Sequence, residues 1–125
     1  MLVACGVAER EGKVLICKRP SGVPYAGCWE FPSDVLEAGD SLEDCLEKSF
    51  FERLSVGLGT VVPVGAFDSI CEKGCRIFTF RADFREKYPV LTGYDAAKWV
   101  SFNKLQKFRL FPDSVMIVKG IKKFF

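Results

Sequence analysis

The spacing of apolar and polar positions changes along the chain, and each spacing predicts a different element. The continuous apolar runs Leu2–Ala8 and Val14–Cys17 predict two strands joined by a tight turn at Glu9–Gly12. We expect the first of these strands to lie at the centre of a sheet. Further along, Val61–Phe67 and Arg76–Phe84 predict two more strands, and the clear alternation in the second favours a hairpin.

A helical period begins after Ser41. The positions on its buried stripe recur at three- and four-residue steps: Leu42, Cys45, Leu46, Ser49, Phe50 and Leu54. Ser41 and Asp44 predict a capping box at its start, and Gly57 is its expected end. A late strand over Lys98–Phe102 and a terminal helix opened by Pro112 follow. This order predicts an α/β (α+β) fold in which a central mixed sheet packs between helices.

Composition restricts the class of protein. The 125 residues are enough for one core, so we expect a single domain over residues 1–125. Eighteen basic and sixteen acidic residues give a net charge of +2, too small for a field that concentrates nucleic acid, which is not an expected partner. The longest stretch without charge, Leu54–Phe67, is broken by glycine and proline, so no membrane span is expected.

Cysteine and histidine usage narrows the chemistry. The six cysteines are not preceded by an export signal, so we expect reduced thiols in the cytoplasm. Cys71 and Cys75 do not form a CxxC pair, which argues against a zinc site. The chain has no histidine, and this excludes nucleophilic triads and metal sites that depend on it. Any reaction must use carboxylates, Lys, Tyr, Cys or a bound ion.

The segment Gly27–Pro32 is an irregular loop that leads into the acidic helix. Ionisable side chains follow it at several positions: Asp34, Glu37, Asp40, Lys48, Glu52 and Arg53. Magnesium prefers carboxylates, backbone carbonyls and waters, so a loop beside an acidic helix can hold this ion against phosphate oxygens. The layout indicates phosphate chemistry.

At these residues the sequence resembles the Nudix hydrolases, in particular their MutT-like and CTP-pyrophosphohydrolase-like branch. The resemblance covers nearly the whole chain and rests on Lys18–Pro20, Trp29–Pro32, the helix at the right distance, Trp99 on a late strand and Phe111–Pro112 before the last helix. It implies a Nudix-type α/β/α sandwich, cleavage of nucleoside di- or triphosphates and related compounds, and a magnesium or manganese cofactor held by helical glutamates.

The family's sequence box is degenerate here. The pattern G-x5-E-x7-R-E-U-x-E-E-x-G-U, with U aliphatic, aligns with Asp34, Asp40, Lys48, Ser49, Phe50, Glu52, Arg53, Ser55 and Val56. Of the three helical glutamates that the resemblance makes metal ligands, Glu52 remains, whereas Ser49 and Arg53 occupy the other two positions. The four helical sites then carry net positive charge instead of net negative charge. We therefore expect a reversed local field and weak or absent magnesium-dependent hydrolysis.

Three cations are candidate phosphate contacts: Arg19, Lys48 and Arg53. Because Lys18 and Arg19 alternate across a strand, one of them should point to the cleft, and the resemblance favours Arg19. Glu30 is a candidate for the nucleotide pocket. On this interpretation Arg53 replaces the metal ion and pairs directly with a diphosphate.

Glu52 is the candidate catalytic carboxylate and, with Asp40 and Asp44, a candidate metal ligand. These acids also have a plainer explanation. Glu52 follows Lys48 by one helical turn, which favours a surface ion pair, and acids near a helix start stabilise the helix dipole.

The sequence leaves three functions open. The first is binding of a nucleotide or another phosphorylated small molecule without a metal-activated water. The second is an active pyrophosphohydrolase that uses magnesium or manganese and relocated carboxylates. The third is a protein-interaction module, including a homodimer, suggested by the hydrophobic tail Ile121–Phe125.

Overall fold

A computed structural model describes residues 1–86 and 88–125. Its elements are β1 (Leu2–Arg10), β2 (Lys13–Lys18), β3 (Trp29–Glu30), β4 (Ser33–Val35), α1 (Leu42–Leu54), β5 (Leu58–Asp68), β6 (Arg76–Phe84), β7 (Ala96–Ser101) and α2 (Pro112–Ile121). Short 3₁₀ helices cover Phe102–Lys107 and Lys122–Phe124. The predicted strands and both predicted helices are confirmed. The short strand β4 and the 3₁₀ helices were not predicted.

Strand β1 lies at the centre of the sheet, as predicted. It pairs in parallel with β6 and antiparallel with β2 and β4, so the sheet is mixed. Its residues Ala4, Val7 and Ala8 are completely buried because both faces of the strand are covered. The predicted hairpin of β5 and β6 is confirmed by their antiparallel register, and β7 pairs with the outer edge of β2.

The two helices cover opposite faces of the sheet. Leu46 and Phe50 of α1 pack into one core cluster, whereas Ile117 and Ile121 of α2 pack into the other. The Phe50 ring lies so close to β1 that a Cβ atom on Gly6 would come within 2.5 Å of it, so this contact requires glycine. The arrangement is the expected α/β/α sandwich.

Helix α1 starts as predicted and ends differently. The Ser41 hydroxyl accepts the Asp44 N–H and the Asp44 carboxylate accepts the Ser41 N–H, which confirms the capping box. The prediction that Gly57 ends the helix is wrong. Ser55 takes the left-handed conformation, with φ 57° and ψ 38°, and its N–H donates to the carbonyls of the last turn. The chain has therefore left the helix before it reaches Gly57.

The C-terminal tail is mostly packed. Ile121 is buried, and the Phe125 ring stacks on Phe102 with centroids 5.0 Å apart, whereas Phe124 is 38% exposed. The tail thus has one exposed aromatic ring, that of Phe124. The homodimer that the hydrophobic tail suggested remains a prediction. Within the described ranges, no helix is both long and apolar enough to cross a membrane.

Candidate functional site

A cleft of about 400 Å³ opens between β3, β4, the last turn of α1 and the first turn of α2. Its lining includes two cationic side chains, four carboxylates and one phenol: Arg19, Arg53, Glu30, Asp34, Glu72, Asp113 and Tyr94. The structure thus brings together three of the predicted site residues, Arg19, Glu30 and Arg53. It does not place Lys48, Glu52, Asp40 or Asp44 in this lining.

Arg19 is held in the cleft by three contacts. Its Nη1 donates to Glu30 Oε1 at 2.5 Å, its Nε donates to the Pro24 carbonyl at 2.9 Å, and its guanidinium lies 4.5 Å from the Phe111 ring centroid. Glu30 is buried, and its second oxygen accepts the Tyr94 hydroxyl at 3.4 Å. Burial raises the pKa of the Glu30 carboxyl, and the hydrogen bond from Arg19 only partly opposes this shift.

Arg53 makes a bidentate ion pair with Asp34. Its Nε and Nη2 donate to the two carboxylate oxygens, each at 2.7 Å, and its guanidinium lies 5.4 Å from the Tyr94 ring centroid. Partial burial by itself would raise the pKa of Asp34, but the hydrogen bonds from Arg53, the neighbouring Ser49 and the positive charge of Arg53 together outweigh burial and hold the pKa below its usual range. The fork expected to bind a diphosphate is therefore largely engaged within the chain.

Ser49 stands beside this pair, on the preceding turn of α1. It is 1% exposed and contributes to the low pKa of Asp34, although its hydroxyl makes no hydrogen bond of ordinary geometry. A buried hydroxyl and a clamped guanidinium thus occupy two positions where the family places metal-binding glutamates. The guanidinium cannot ligate a divalent cation, and the neutral hydroxyl is a weaker ligand than the carboxylate that it replaces.

The other candidates of α1 lie outside the cleft. Lys48 Nζ donates to Asp40 at 2.7 Å, so the expected pair between Lys48 and Glu52 is replaced by a contact with the preceding loop. Asp44 is used in the helix cap, and Glu52 is exposed. Both cations of the helix are paired with carboxylates, Lys48 with Asp40 of the preceding loop and Arg53 with Asp34 of β4, so the expected positive field of the helix is largely offset.

The residues present do not fit the metal that the family resemblance implies. Within the described part of the chain, no three acidic or cysteine side chains stand close enough together to hold an ion. This finding includes the candidate ligands Asp40, Asp44 and Glu52. Two carboxylates of the cleft, Glu30 and Asp34, are instead paired with Arg19 and Arg53.

Tyr94 and Asp113 were missed as site residues from the sequence, whereas Asp34 was considered only as one of the relocated carboxylates that could hold a metal ion. Asp34 was aligned with the glycine of the box. Arg53 stands at another altered position of the box and carries the opposite charge, and this was the signal that could have paired the two residues. Tyr94 lies in a polar loop that shows no periodicity. Asp113 is buried and accepts the Ser69 hydroxyl at 2.7 Å and the Ile70 N–H at 2.8 Å, which fastens α2 to the preceding hairpin.

Known families share this arrangement of sheet, helix and cleft. The model of the NUDIX domain matches residues 2–119, which is nearly the whole chain. The chain belongs to the NUDIX family. The CTP pyrophosphohydrolase of Escherichia coli (strain K12) is 33% identical over 54 residues, which are 43% of this chain and 40% of that protein. The matched part thus spans less than half the length of this relative.

Solved structures of Nudix proteins share the fold. A MutT structure from work on Aliivibrio salmonicida and Vibrio cholerae has a TM-score of 0.82 at 22% identity, over 98% of this chain and 97% of its own. The E. coli ORF135 protein has a TM-score of 0.80 at 22% identity, over 98% of this chain and 88% of its own. The NUDIX domain of Shewanella oneidensis NrtR, complexed with ADP ribose, has a TM-score of 0.80 at 16% identity, over 98% of this chain and 86% of its own.

Proposed function

We propose that this Nudix domain binds a nucleotide or another phosphorylated small molecule in its cleft, and that it hydrolyses the ligand weakly or not at all with magnesium or manganese. The observation that carries the proposal is the bidentate pair between Arg53 and Asp34. It puts a permanent positive charge of the chain where the family's metal ligands stand. The ADP ribose complex of the NrtR domain supports a nucleotide-like ligand.

The cleft retains hydrogen-bond donors for an anion. Arg19 uses Nε and Nη1, and Arg53 uses Nε and Nη2, so Nη2 of Arg19 and Nη1 of Arg53 have no hydrogen-bond partner among the described residues. Each free N–H group can donate a charge-assisted bond to a phosphate oxygen. The contacts to Glu30 and Asp34 hold both side chains in place, which lowers the entropy cost of binding.

Electrostatics explains why hydrolysis should be weak. A divalent cation about 4 Å from a guanidinium is repelled by at most roughly 8 kcal/mol at an effective dielectric constant near 20. The Asp34 carboxylate offsets much of this repulsion, but both of its oxygens accept hydrogen bonds from Arg53, so the pair leaves no carboxylate at this place to hold the ion. Without a bound metal, no water in the cleft is converted into a strong nucleophile at neutral pH.

Calorimetric titration with CTP, GTP and ADP ribose tests binding. We expect the same affinity in EDTA and in magnesium. Arg19→Ala should lower the affinity about tenfold, because one charge-assisted contact is worth about 1.5 to 3 kcal/mol before other contacts compensate for its loss. Lys104→Ala removes an exposed charge outside the cleft and serves as the matched control. Failure of all three ligands to bind at millimolar concentration would overturn the proposal.

The CTP pyrophosphohydrolase relative favours a second candidate, an active pyrophosphohydrolase. Phosphate release with magnesium or manganese decides between the two functions. We expect negligible turnover in the wild type and measurable turnover in the triple variant Asp34→Gly, Ser49→Glu, Arg53→Glu, which restores the first glycine and the two missing helical glutamates of the box. Adding Glu52→Gln to that triple variant should abolish the gain. Wild-type turnover that Glu52→Gln removes would establish the second candidate instead.

A further inference from the structure

A second cavity lies away from the cleft, between the 3₁₀ helix Phe102–Lys107 and α2. This groove has a volume of about 950 Å³. Its apolar lining includes Leu105, Leu110, Val115 and Val118, and Val115 is 39% exposed. Two lysines, Lys119 and Lys122, are its charged lining residues, and no carboxylate side chain of the described residues lines it.

The charge of this face differs from that of the rest of the molecule. Residues 102–125 contain six lysines and arginines and one acid, Asp113, whose carboxylate is buried and engaged by the preceding hairpin. The whole chain has a net charge of only +2, so the remaining residues are net negative. The groove is thus an apolar surface on the positive side of a polar charge distribution, and such a surface attracts acidic partners.

We propose that this groove docks an acidic amphipathic helix of another protein. Its walls are the 3₁₀ helix Phe102–Lys107 and α2, and its apolar lining can contact the side chains that an amphipathic helix projects at positions i, i+3, i+4 and i+7. Aspartates and glutamates beside these anchors would meet Lys119 and Lys122 at the rim. The site is independent of the function proposed for the cleft.

The lining favours a protein over a nucleic acid. Single-stranded nucleic acid needs aromatic faces on which bases can stack. Here the rings of Phe102 and Phe125 are stacked on each other at an interplanar angle of 5°, and the Phe108 ring packs against Trp29 and lies under Lys98. These three rings line the groove but already pack against other rings, and the rest of its apolar lining is aliphatic and concave, which matches a flat lipid surface poorly.

Fluorescence anisotropy with the full chain tests the proposal. The probe is a labelled helix-forming peptide with leucines at the four anchor positions and glutamates elsewhere. We expect saturable binding that weakens as salt rises, with an affinity loss of about tenfold or more in the double variant Lys119→Glu, Lys122→Glu. Val115→Glu, which leaves both lysines in place, should weaken binding comparably by charging the apolar lining.

The matched control is Lys73→Glu, Arg85→Glu, which changes the net charge equally at exposed positions outside the groove. This control should bind the peptide nearly as the wild type does. Equal losses in the two double variants would show attraction to net charge only and overturn the proposal. Absence of peptide binding at millimolar concentration would also overturn the proposal. So would an oligothymidine or phosphatidylserine vesicles that bind more tightly than the peptide and displace it.

Discussion

Asp34 and Arg53 are altered together relative to the Nudix box. A carboxylate stands at the position of the box glycine, and a guanidinium stands at the position of a glutamate. Either change alone would leave a half-buried charge without a partner, whereas together they give a bidentate pair. We interpret the two residues as one unit that has taken the place of the metal.

Asp34→Asn should destabilise the fold by about 1 to 2 kcal/mol near neutral pH, because Arg53 loses its carboxylate. The fold lowers the pKa of Asp34, so this stability is present above the pKa of an unfolded aspartate, about 3.9, and is lost as the pH falls through the folded value. Urea unfolding of wild type and variant should therefore differ at neutral pH and converge in strong acid.

Asp40→Asn provides the control for this measurement. It breaks the more exposed pair with Lys48 and should change the free energy of unfolding by less than about 1 kcal/mol. A difference between wild type and Asp34→Asn that stays constant from neutral to acid pH would contradict the assignment of a lowered pKa.

The sequence identified the cations of the cleft better than it identified their partners. Arg19 and Arg53 could be assigned from motif positions, because a motif fixes which residue stands at which place along a helix or strand. Asp34 and Tyr94 come from β4 and from the loop before β7, and their meeting with Arg53 depends on tertiary packing. Spacing along the chain does not contain that information.

At the scale of elements, the period of apolar positions was sufficient to predict a helix or strand wherever that element buries one face. It predicted β6 to the residue and placed α1 correctly, because both have one side in a core. The predicted end of α1 was wrong because glycine is the usual residue in the left-handed conformation after a helix. In this chain Ser55, two positions before Gly57, takes that conformation instead. Short β4 has too few residues to show a period.

Ser55→Gly should raise the free energy of unfolding by about 0.5 to 1 kcal/mol, because glycine adopts the left-handed conformation without a Cβ clash. Gly57→Ala is the companion variant. A Cβ atom there would meet only Glu86 Oε1, at 3.9 Å, so the change should be close to neutral. The opposite order, with Gly57→Ala strongly destabilising and Ser55→Gly neutral, would restore Gly57 as the helix end.

At the scale of the whole molecule, the six cysteines are free and five of them are buried. Burial raises the pKa of the Cys5, Cys17, Cys45 and Cys75 thiols and makes them poor nucleophiles. Brief alkylation of the native protein with iodoacetamide should therefore give one adduct, at Cys71, whereas the denatured protein should give adducts at every cysteine. Mass spectrometry of the intact chain and of its peptides distinguishes these results.

An unchanged free energy of unfolding with and without dithiothreitol would agree with reduced, free cysteines in the folded protein. Two or more rapid native adducts would show that the cores open more readily than the burial indicates. Disulfide formation in air between Cys71 and Cys75 would contradict the separation of an exposed and a buried thiol.

The parallel pairing of β1 with β6 has a consequence for biosynthesis. Leu2 leaves the ribosome well before Arg76, which is its neighbour in the sheet. Until β6 has emerged, the apolar β1 lacks this neighbour and exposes an edge that can pair with other nascent chains. Folding should accordingly be slow for a chain of this size, and translation should be the stage at which the protein depends most on chaperones.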